Sequence, residues 1–194
     1  MEIGIFAKYF IGINIVGFIL FAINTWLYSH TEKGQVDLFL TLTALAGGSL
    51  GILCGIFLID RKAEKGNMMS RVFIACIFVI QIILLLVLNG KHAEHITFAF
   101  WEFFGKYKML LTYLLIINIV TLIAYAIDKI NACEGRSRIR IVTLLGLAFI
   151  GGSIGAIAAM YLFRHKTRQD YFAVGVPLII ITQVIVIFYL MNAA

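Results

Sequence analysis

Long uncharged stretches alternate with short polar ones along this chain. Six stretches contain no Asp, Glu, Lys or Arg, and each is about 20 residues long, the length that an α-helix needs to cross a hydrocarbon core. They comprise residues 9–28, 38–59, 72–88, 109–127, 141–163 and 171–191. Because backbone polar groups in lipid must be hydrogen-bonded within their own segment, each stretch is predicted to be a helix. The pattern predicts an all-α polytopic membrane protein with six transmembrane helices.

The connection 89–108 differs from the other polar segments because it is long and aromatic. Residues 97–104 read Thr-Phe-Ala-Phe-Trp-Glu-Phe-Phe, and Lys106 and Lys108 follow them. Aromatic rings and long basic side chains favour the boundary between lipid and water. We expect this linker to lie at the membrane surface.

The chain contains an internal repeat with an offset of 104 positions. Apolar identities carry little weight in such a composition, but the repeat also aligns polar residues and glycines without a gap. The aligned pairs are Tyr9 with Tyr113, Asn14 with Asn118, residues 47–51 with 151–155, and Lys62 with Lys166. Residues 1–88 are therefore predicted to form a first three-helix repeat, 89–108 a linker, and 109–194 a second three-helix repeat.

Three spans per repeat is an odd number, so the second repeat is expected to enter the membrane inverted relative to the first. Inverted repeats are a frequent design among transporters. The alternative is that each glycine-rich second span is a re-entrant hairpin, which would keep the two repeats parallel. The 16 Lys and Arg residues are nearly balanced between the two sides, with a small excess that favours a cytoplasmic N-terminus.

Composition excludes a water-soluble domain. Hydrophobic residues make up 62% of the chain and charged residues 13%, whereas soluble domains are about a quarter charged. The net charge of +6 is explained by topology signals and by contact with anionic lipids, so we expect membrane lipids and no nucleic acid as partners. The odd number of cysteines, three, argues against a disulfide framework.

The recurring glycines predict close helix packing. Positions four apart lie on one helix face, and small residues there let backbones approach closely. The predicted packing residues are Gly47, Gly48, Gly51, Gly55, Gly151, Gly152 and Gly155. We expect the two glycine-rich spans to pack against each other, and a glycine-lined solute path is the functional alternative.

Asn14 and Asn118 are polar residues within apolar spans. One interpretation is an interhelical hydrogen bond in each repeat. The other is a pair of symmetry-related ligands in a solute or ion path. Gln81 and Gln183, in the third span of each repeat, allow the same two interpretations.

Charged residues gather at two helix ends of the second repeat. Asp128 and Lys129 follow the fourth span, and Arg164, His165, Lys166 and Thr167 follow the fifth. We expect Asp128 to neutralise a nearby cation, which lowers the cost of holding charge at the membrane edge. The group is a candidate site for a phosphate or carboxylate of a lipid or substrate; the alternative is a basic loop that only fixes topology.

The sequence contains few other signs of chemistry. His92 and His95 are three residues apart, which is a weak metal signal without further ligands nearby. No phosphate-binding loop, nucleophile–base set or pair of intramembrane carboxylates is present. We therefore expect no metal and no cofactor, and enzymatic activity is less favoured than binding or transport.

The second repeat resembles the bacterial membrane family known as domain of unknown function 1294. The resemblance covers about residues 113–180 and depends on ordered polar residues and glycines. These are Asn118, Asp128, Lys129, the basic run to Arg140, residues 151–155 and 164–167, Phe172 and Pro177. Members usually have a Pro-Glu pair after the basic run, and residues 138–141 lack it. The resemblance implies a bacterial inner-membrane protein and no particular activity.

Three functions are compatible with these features. The inverted repeat favours a small transporter or channel for an ion or small solute, with anions preferred because the helix ends are basic. The alternative is a non-transporting scaffold or lipid-headgroup-binding protein, and self-association into a homo-oligomer is compatible with both. An enzyme that acts on lipid headgroups through His165 and Asp128 is the third.

Overall fold

A computed structural model describes residues 4–30, 37–60, 66–90 and 96–193. The described residues are helical with short connections, and none of them forms a strand. The helices are α1 (Ile5–His30), α2 (Asp37–Thr43), α3 (Ser49–Leu58), α4 (Met68–Leu88), α5 (Phe100–Lys106), α6 (Lys108–Cys133), α7 (Ile141–Leu147), α8 (Ser153–Leu162), α9 (Asp170–Ala173) and α10 (Gly175–Met191).

Six helical segments of the described residues are long and apolar enough to cross a membrane. They are Ile5–Tyr28, Leu38–Leu58, Met68–Leu88, Lys108–Cys133, Ile141–Leu162 and Asp170–Met191. This confirms the predicted fold class. The fourth segment ends later than its uncharged stretch, because α6 continues through Asp128 and Lys129 to Cys133. Asp128 therefore lies within a helix and not at its end.

The chain divides into two compact units, Met1–Ile82 and Ile83–Ala194. The division lies within α4, a few residues before the boundary at 88 that the sequence predicts. Each unit contains the same order of a long first helix and a kinked second span.

The second span of each unit is kinked at a glycine. In the first unit the turn Ala44–Gly48 joins α2 to α3, and Gly47 has φ = 116°. In the second unit the turn Ala148–Gly152 joins α7 to α8, and Gly151 has φ = 130°. Residues with a Cβ rarely adopt such angles, so these two positions require glycine. Each kink leaves backbone groups without their usual helical partners.

In the first unit, α1 packs closely against α3. A Cβ at Gly51 would overlap the backbone oxygen of Asn14, and a Cβ at Gly55 would approach the Phe21 ring to 2.6 Å. A core of buried apolar side chains surrounds this contact: Leu40, Ala44, Ile52, Ile56 and Ile74. The glycine face therefore lies against the first helix of its own unit.

The second unit has the same packing between α6 and α8. A Cβ at Gly155 would overlap the Asn118 carbonyl oxygen, and one at Gly152 would overlap the Thr121 side chain. The second and third spans of this unit also bury apolar side chains: Leu144, Ala148, Ala156, Val176 and Ile179. The opposite surfaces of these helices expose large apolar side chains such as Ile119 and Ile154. Such extensive apolar exposure is typical of lipid-facing helices.

Candidate functional site

The Asn118 amide in the second unit hydrogen-bonds the backbone on both sides of the kink. Its Nδ2 donates to the carbonyl oxygens of Leu114 (2.7 Å) and Gly151 (2.9 Å), and its Oδ1 accepts from the Gly155 N–H (2.6 Å). Nearby, the Tyr113 hydroxyl donates to the Ile150 carbonyl at 2.6 Å. The side chains of α6 therefore satisfy backbone groups that the kink releases.

Asn14 makes the same bonds in the first unit. Its Nδ2 donates to Phe10 (2.8 Å) and Gly47 (3.1 Å), and its Oδ1 accepts from the Gly51 N–H (2.8 Å). The Tyr9 hydroxyl donates to the Ala46 carbonyl at 2.6 Å. Each partner lies 104 positions before its counterpart, so the repeat found in the sequence is also a repeat of hydrogen bonds.

A glutamine from the third span completes each network. Gln183 donates to the Ala148 (2.7 Å) and Phe149 (3.0 Å) carbonyls and accepts from the Ser153 hydroxyl. In the first unit, Gln81 donates to the Ala44 carbonyl and accepts from the Ser49 hydroxyl. The geometry of the asparagines and glutamines corresponds to the interhelical hydrogen bonds considered from the sequence.

Asp128 is the centre of the charged cluster of the second unit. Its side chain has no exposed surface. It accepts hydrogen bonds from the Ile139 N–H (2.8 Å), from His165 Nε2 (2.9 Å) and from Lys166 Nζ (2.8 Å). The donors come from two loops, 134–140 and 163–169. Asp128 thereby ties both loops to α6 and neutralises one cation, as the sequence predicts.

The loop after α8 has an unusual backbone. Arg164 and Lys166 have φ values of 46° and 63°, in the left-handed region that residues with side chains rarely occupy. The His165 N–H donates to the Met160 carbonyl at 3.0 Å and so ends the helix. Such backbone conformations persist only where surrounding contacts stabilise them, and here Asp128 binds both of the side chains that follow Arg164.

Lys166 is held between a carboxylate and an aromatic ring. Its side chain is 8% exposed, and its ammonium lies 4.6 Å from the centre of the Phe172 ring. The Phe172 and Tyr125 rings are nearly perpendicular, with their centroids 5.8 Å apart. Burial lowers the pKa of the Lys166 ammonium from its ordinary value and the charge of Arg138 acts in the same direction, whereas the bond to Asp128 opposes the change.

Next to this cluster lies an open pocket of about 480 Å³. Its lining consists of Arg164, Lys166, Thr167, Arg168 and Gln169. The two arginines are exposed, whereas Thr167 and Gln169 are half-buried. The pocket combines three cations with neutral hydrogen-bonding groups, a composition that suits an anion.

The structure distributes the predicted site residues unequally. It brings Asp128, His165 and Lys166 into contact and places Arg164 and Thr167 in the adjoining pocket. Lys129 is half-buried on α6 and does not line the pocket. Asn14 and Asn118 bind the kinked spans instead, each within its own unit.

Several contributors were not predicted from the sequence. The Ile139 N–H is a backbone group, which no side-chain pattern reveals. Arg168 and Gln169 directly follow the predicted cluster, so extending that cluster along the loop would have included them. Phe172 belongs to the pattern of the resemblance, and the structure gives it a contact with Lys166.

The equivalent end of the first unit has different chemistry. Asn24, which is buried, stands at the position of Asp128, and Asp60 stands at the position of Arg164. Asp60 pairs with Arg71 at 2.9 Å and accepts from Asn67 at 2.9 Å. Arg61, Lys62 and Ala63 lie outside the described residues, as do His92 and His95. The described basic pocket thus belongs to the second unit.

Comparison with known proteins agrees with the position of this cluster. The family described as "Protein of unknown function (DUF1294)" matches residues 118–172, which include Asn118, Asp128, Lys166 and Phe172. The chain is also 36% identical over 75 residues to the uncharacterized protein YsdA of Bacillus subtilis, a match that covers 39% of this chain and 84% of that protein. No solved structure matches. The chain therefore belongs to the DUF1294 family.

Proposed function

We propose that this protein is an integral membrane protein that binds an anionic phosphate group at the pocket of its second unit. The observation that carries the proposal is the arrangement of Lys166, fixed by Asp128 and Phe172 beside two exposed arginines. A loop that only fixed topology would need basic residues but no buried carboxylate to order them. The arrangement supports a binding role.

The charges of the cluster support binding of an anion. Asp128 is engaged by Lys166 and His165, whereas Arg164 and Arg168 have no carboxylate within 4.0 Å among the described residues. Guanidinium groups bind phosphate through paired hydrogen bonds and hold their charge at any physiological pH. The two arginines are therefore available to a ligand.

The position of the pocket along the chain favours a ligand at the membrane surface. Its lining lies between a span that ends at Leu162 and a span that begins at Asp170. A connection this short keeps the pocket close to the helix ends, where phospholipid headgroups also lie. Membrane lipids are accordingly the partners that we propose.

Lipid retention tests the proposal. The full chain is purified in a neutral detergent, and the bound lipids are counted by native mass spectrometry after titration with phosphatidylcholine or with anionic lipids. We expect one anionic lipid to bind, and the double variant Arg164→Ala/Arg168→Ala to weaken binding by at least about tenfold, since hydrogen bonds to charged groups contribute ~1.5–3 kcal/mol each.

Arg136→Ala is the matched control for this experiment. Arg136 lies in the neighbouring loop, is exposed and pairs with Glu134 at 3.0 Å, and it does not line the pocket. Its replacement removes one exposed positive charge from the same unit and is expected to leave lipid binding within about twofold. Equal losses in the control and in the double variant would contradict a specific pocket.

Transport is a second candidate function, favoured by the duplicated hydrogen-bond network in two three-span units. An odd number of spans per unit supports an inverted repeat, the arrangement of many transporters. Both asparagines bind the backbone of their own unit, so a solute path would need other polar side chains as its lining. A proteoliposome flux assay with ions and small anions tests this function, and absence of flux argues for binding alone.

Sidedness of equivalent loops tests the inversion itself. Single cysteines at Ala63 and Thr167, in a chain without Cys54, Cys76 and Cys133, are labelled in intact cells with a membrane-impermeant thiol reagent. Labelling of only one of the two positions from outside would support inverted units. If that position is Ala63, the loop after the second span lies outside the cell, which would contradict the predicted cytoplasmic N-terminus. Equal labelling of both positions would contradict inversion.

A further inference from the structure

We infer that the pocket of the second unit selects a phosphate monoester, which carries close to two negative charges, over a phosphate diester, which carries one. The inference rests on the proposed function and names the class of its ligand. Three features of the pocket carry it: its net charge, the neighbouring Arg138, and the number of its donors.

The net charge of the pocket matches a dianion. Arg164, Lys166 and Arg168 contribute three positive charges, and Asp128 offsets the charge of Lys166 at 2.8 Å. Two positive charges remain, both on exposed guanidinium groups. A phosphate monoester has about −1.5 to −2 charges at pH 7. A diester would leave one of the two arginines without a counter-charge.

Arg138 adds to the positive potential from a second loop. Its charge contributes, after burial, to lowering the pKa of the Lys166 ammonium. The adjacent Ile139 N–H is bound to Asp128 at 2.8 Å, which fixes that loop against the cluster. The nearby carboxylate of Glu134 is paired with Arg136 and exposed. The charge of Arg138 therefore favours a multiply charged anion over a singly charged one.

The donors of the pocket match a terminal phosphate. A monoester presents three oxygens that accept hydrogen bonds, whereas a diester presents two unesterified ones. The arginines supply two planar forks, and Thr167 adds a hydroxyl. Gln169 adds an amide N–H₂, because its Oε1 accepts from the Tyr171 hydroxyl at 3.0 Å and its Nε2 has no hydrogen bond within the part of the chain that the structure describes. Four donor groups around one site suit a phosphate monoester better than a diester.

The monoester has two possible sources, a lipid such as phosphatidic acid or a soluble phosphate. The test therefore titrates the full chain in neutral detergent with phosphatidic acid, phosphatidylglycerol and cardiolipin, and adds inorganic phosphate as a competitor. Cardiolipin carries two charges on two diesters, so it separates charge from the monoester group. Dissociation constants are measured by native mass spectrometry.

We expect phosphatidic acid to bind at least about tenfold more tightly than either diester lipid, which corresponds to one additional charge-assisted hydrogen bond. Arg168→Ala is expected to reduce that preference to about twofold, and Arg136→Ala to preserve it. If millimolar phosphate competes with phosphatidic acid, the ligand is a soluble phosphate. If it does not compete, the ligand is a lipid. Both outcomes support the monoester.

Equal affinity for phosphatidic acid and cardiolipin would overturn the inference and leave the proposed function intact, because charge alone would then explain binding. An absence of binding by all three lipids and by phosphate would overturn both. Arg164 and Arg168 are exposed, so their variants are expected to fold, and an unchanged thermal unfolding temperature verifies this.

Discussion

Asp128 has no exposed side-chain surface, and three donors from two loops converge on its carboxylate. Its partnership with a cation is predictable from the sequence, because an isolated charge in an apolar helix requires a counter-charge. The identity of its partners is less predictable. His165 and Lys166 are more than 35 residues away, and the Ile139 N–H is a backbone group that no residue type reveals.

Asp128→Ala is expected to destabilise the protein by about 3–5 kcal/mol, because it leaves the Lys166 ammonium buried and unpaired. Replacing both partners, Asp128→Ala with Lys166→Met, is expected to recover much of this loss. Unfolding of the purified protein in detergent measures both values. The exposed pair Glu134–Arg136 provides the control, and Glu134→Gln is expected to change stability by less than about 1 kcal/mol.

A stability loss for the double variant as large as that for Asp128→Ala alone would contradict this explanation. The carboxylate would then matter mainly through the Ile139 N–H and His165, and not through the lysine.

At the scale of elements, glycines determine how the second span of each unit is built. Their spacing in the sequence predicts close packing, and in the structure each glycine face contacts the first helix of its unit. The kink is not predictable from that spacing. Gly151 and Gly155 belong to the same motif, yet Gly151 has a positive φ and Gly155 makes a close backbone contact. Only the backbone conformation shows which glycine forms the kink and which forms the close contact.

Gly155→Ala is expected to destabilise the second unit by about 1–3 kcal/mol, because the new Cβ would overlap the Asn118 carbonyl oxygen. Gly146 in α7 is the matched control, since a Cβ added there would meet nothing within 4 Å. Gly146→Ala is expected to be neutral or to stabilise by up to ~1 kcal/mol, since alanine favours helix. Thermal unfolding in detergent compares them, and similar effects of both would contradict the packing argument.

The two asparagines are expected to contribute equally, since Asn14 and Asn118 make the same three hydrogen bonds. Each change to alanine is expected to cost about 0.6–2 kcal/mol. Because their partners belong to different units, the effects in the double variant should add to within about 0.5 kcal/mol. Unfolding free energies of the single and double variants measure this, and strong non-additivity would show that the networks are coupled.

At the scale of the molecule, the uncharged stretches along the chain predict the six long apolar helices. The composition predicts that they lie in lipid, because so much apolar surface could not be hidden in a soluble fold. The aromatic linker is also recognisable, and the structure gives it the short helix α5. Its attachment is not predictable from sequence. Asn192 accepts from the Thr97 N–H at 2.7 Å and donates to the Thr97 carbonyl at 3.2 Å, across 95 residues.

Trp101 on α5 is 91% exposed, and it is expected to lie at the lipid–water boundary. The variant Trp26→Phe leaves Trp101 as the remaining tryptophan. In vesicles of brominated lipids, bromines near the headgroup end of the acyl chains should quench Trp101 fluorescence more than bromines near the chain ends. The reporter for depth is Ile119→Trp in a chain that lacks both native tryptophans. Ile119 is exposed midway along α6 and should show the opposite preference. Quenching of Trp101 mainly from the chain ends would contradict a surface position.

Each asparagine bonds to residues of its own unit, and this has a consequence for folding during synthesis. Among the described residues, the partners of the Asn14 side chain lie between Phe10 and Gly51, and those of Asn118 lie between Leu114 and Gly155. A ribosome adds about 5–20 residues per second. The first amide can therefore meet all its partners several seconds before Asn118 is synthesised. Each unit contains both its asparagine and that asparagine's partners, so the units can fold in the order in which they are translated.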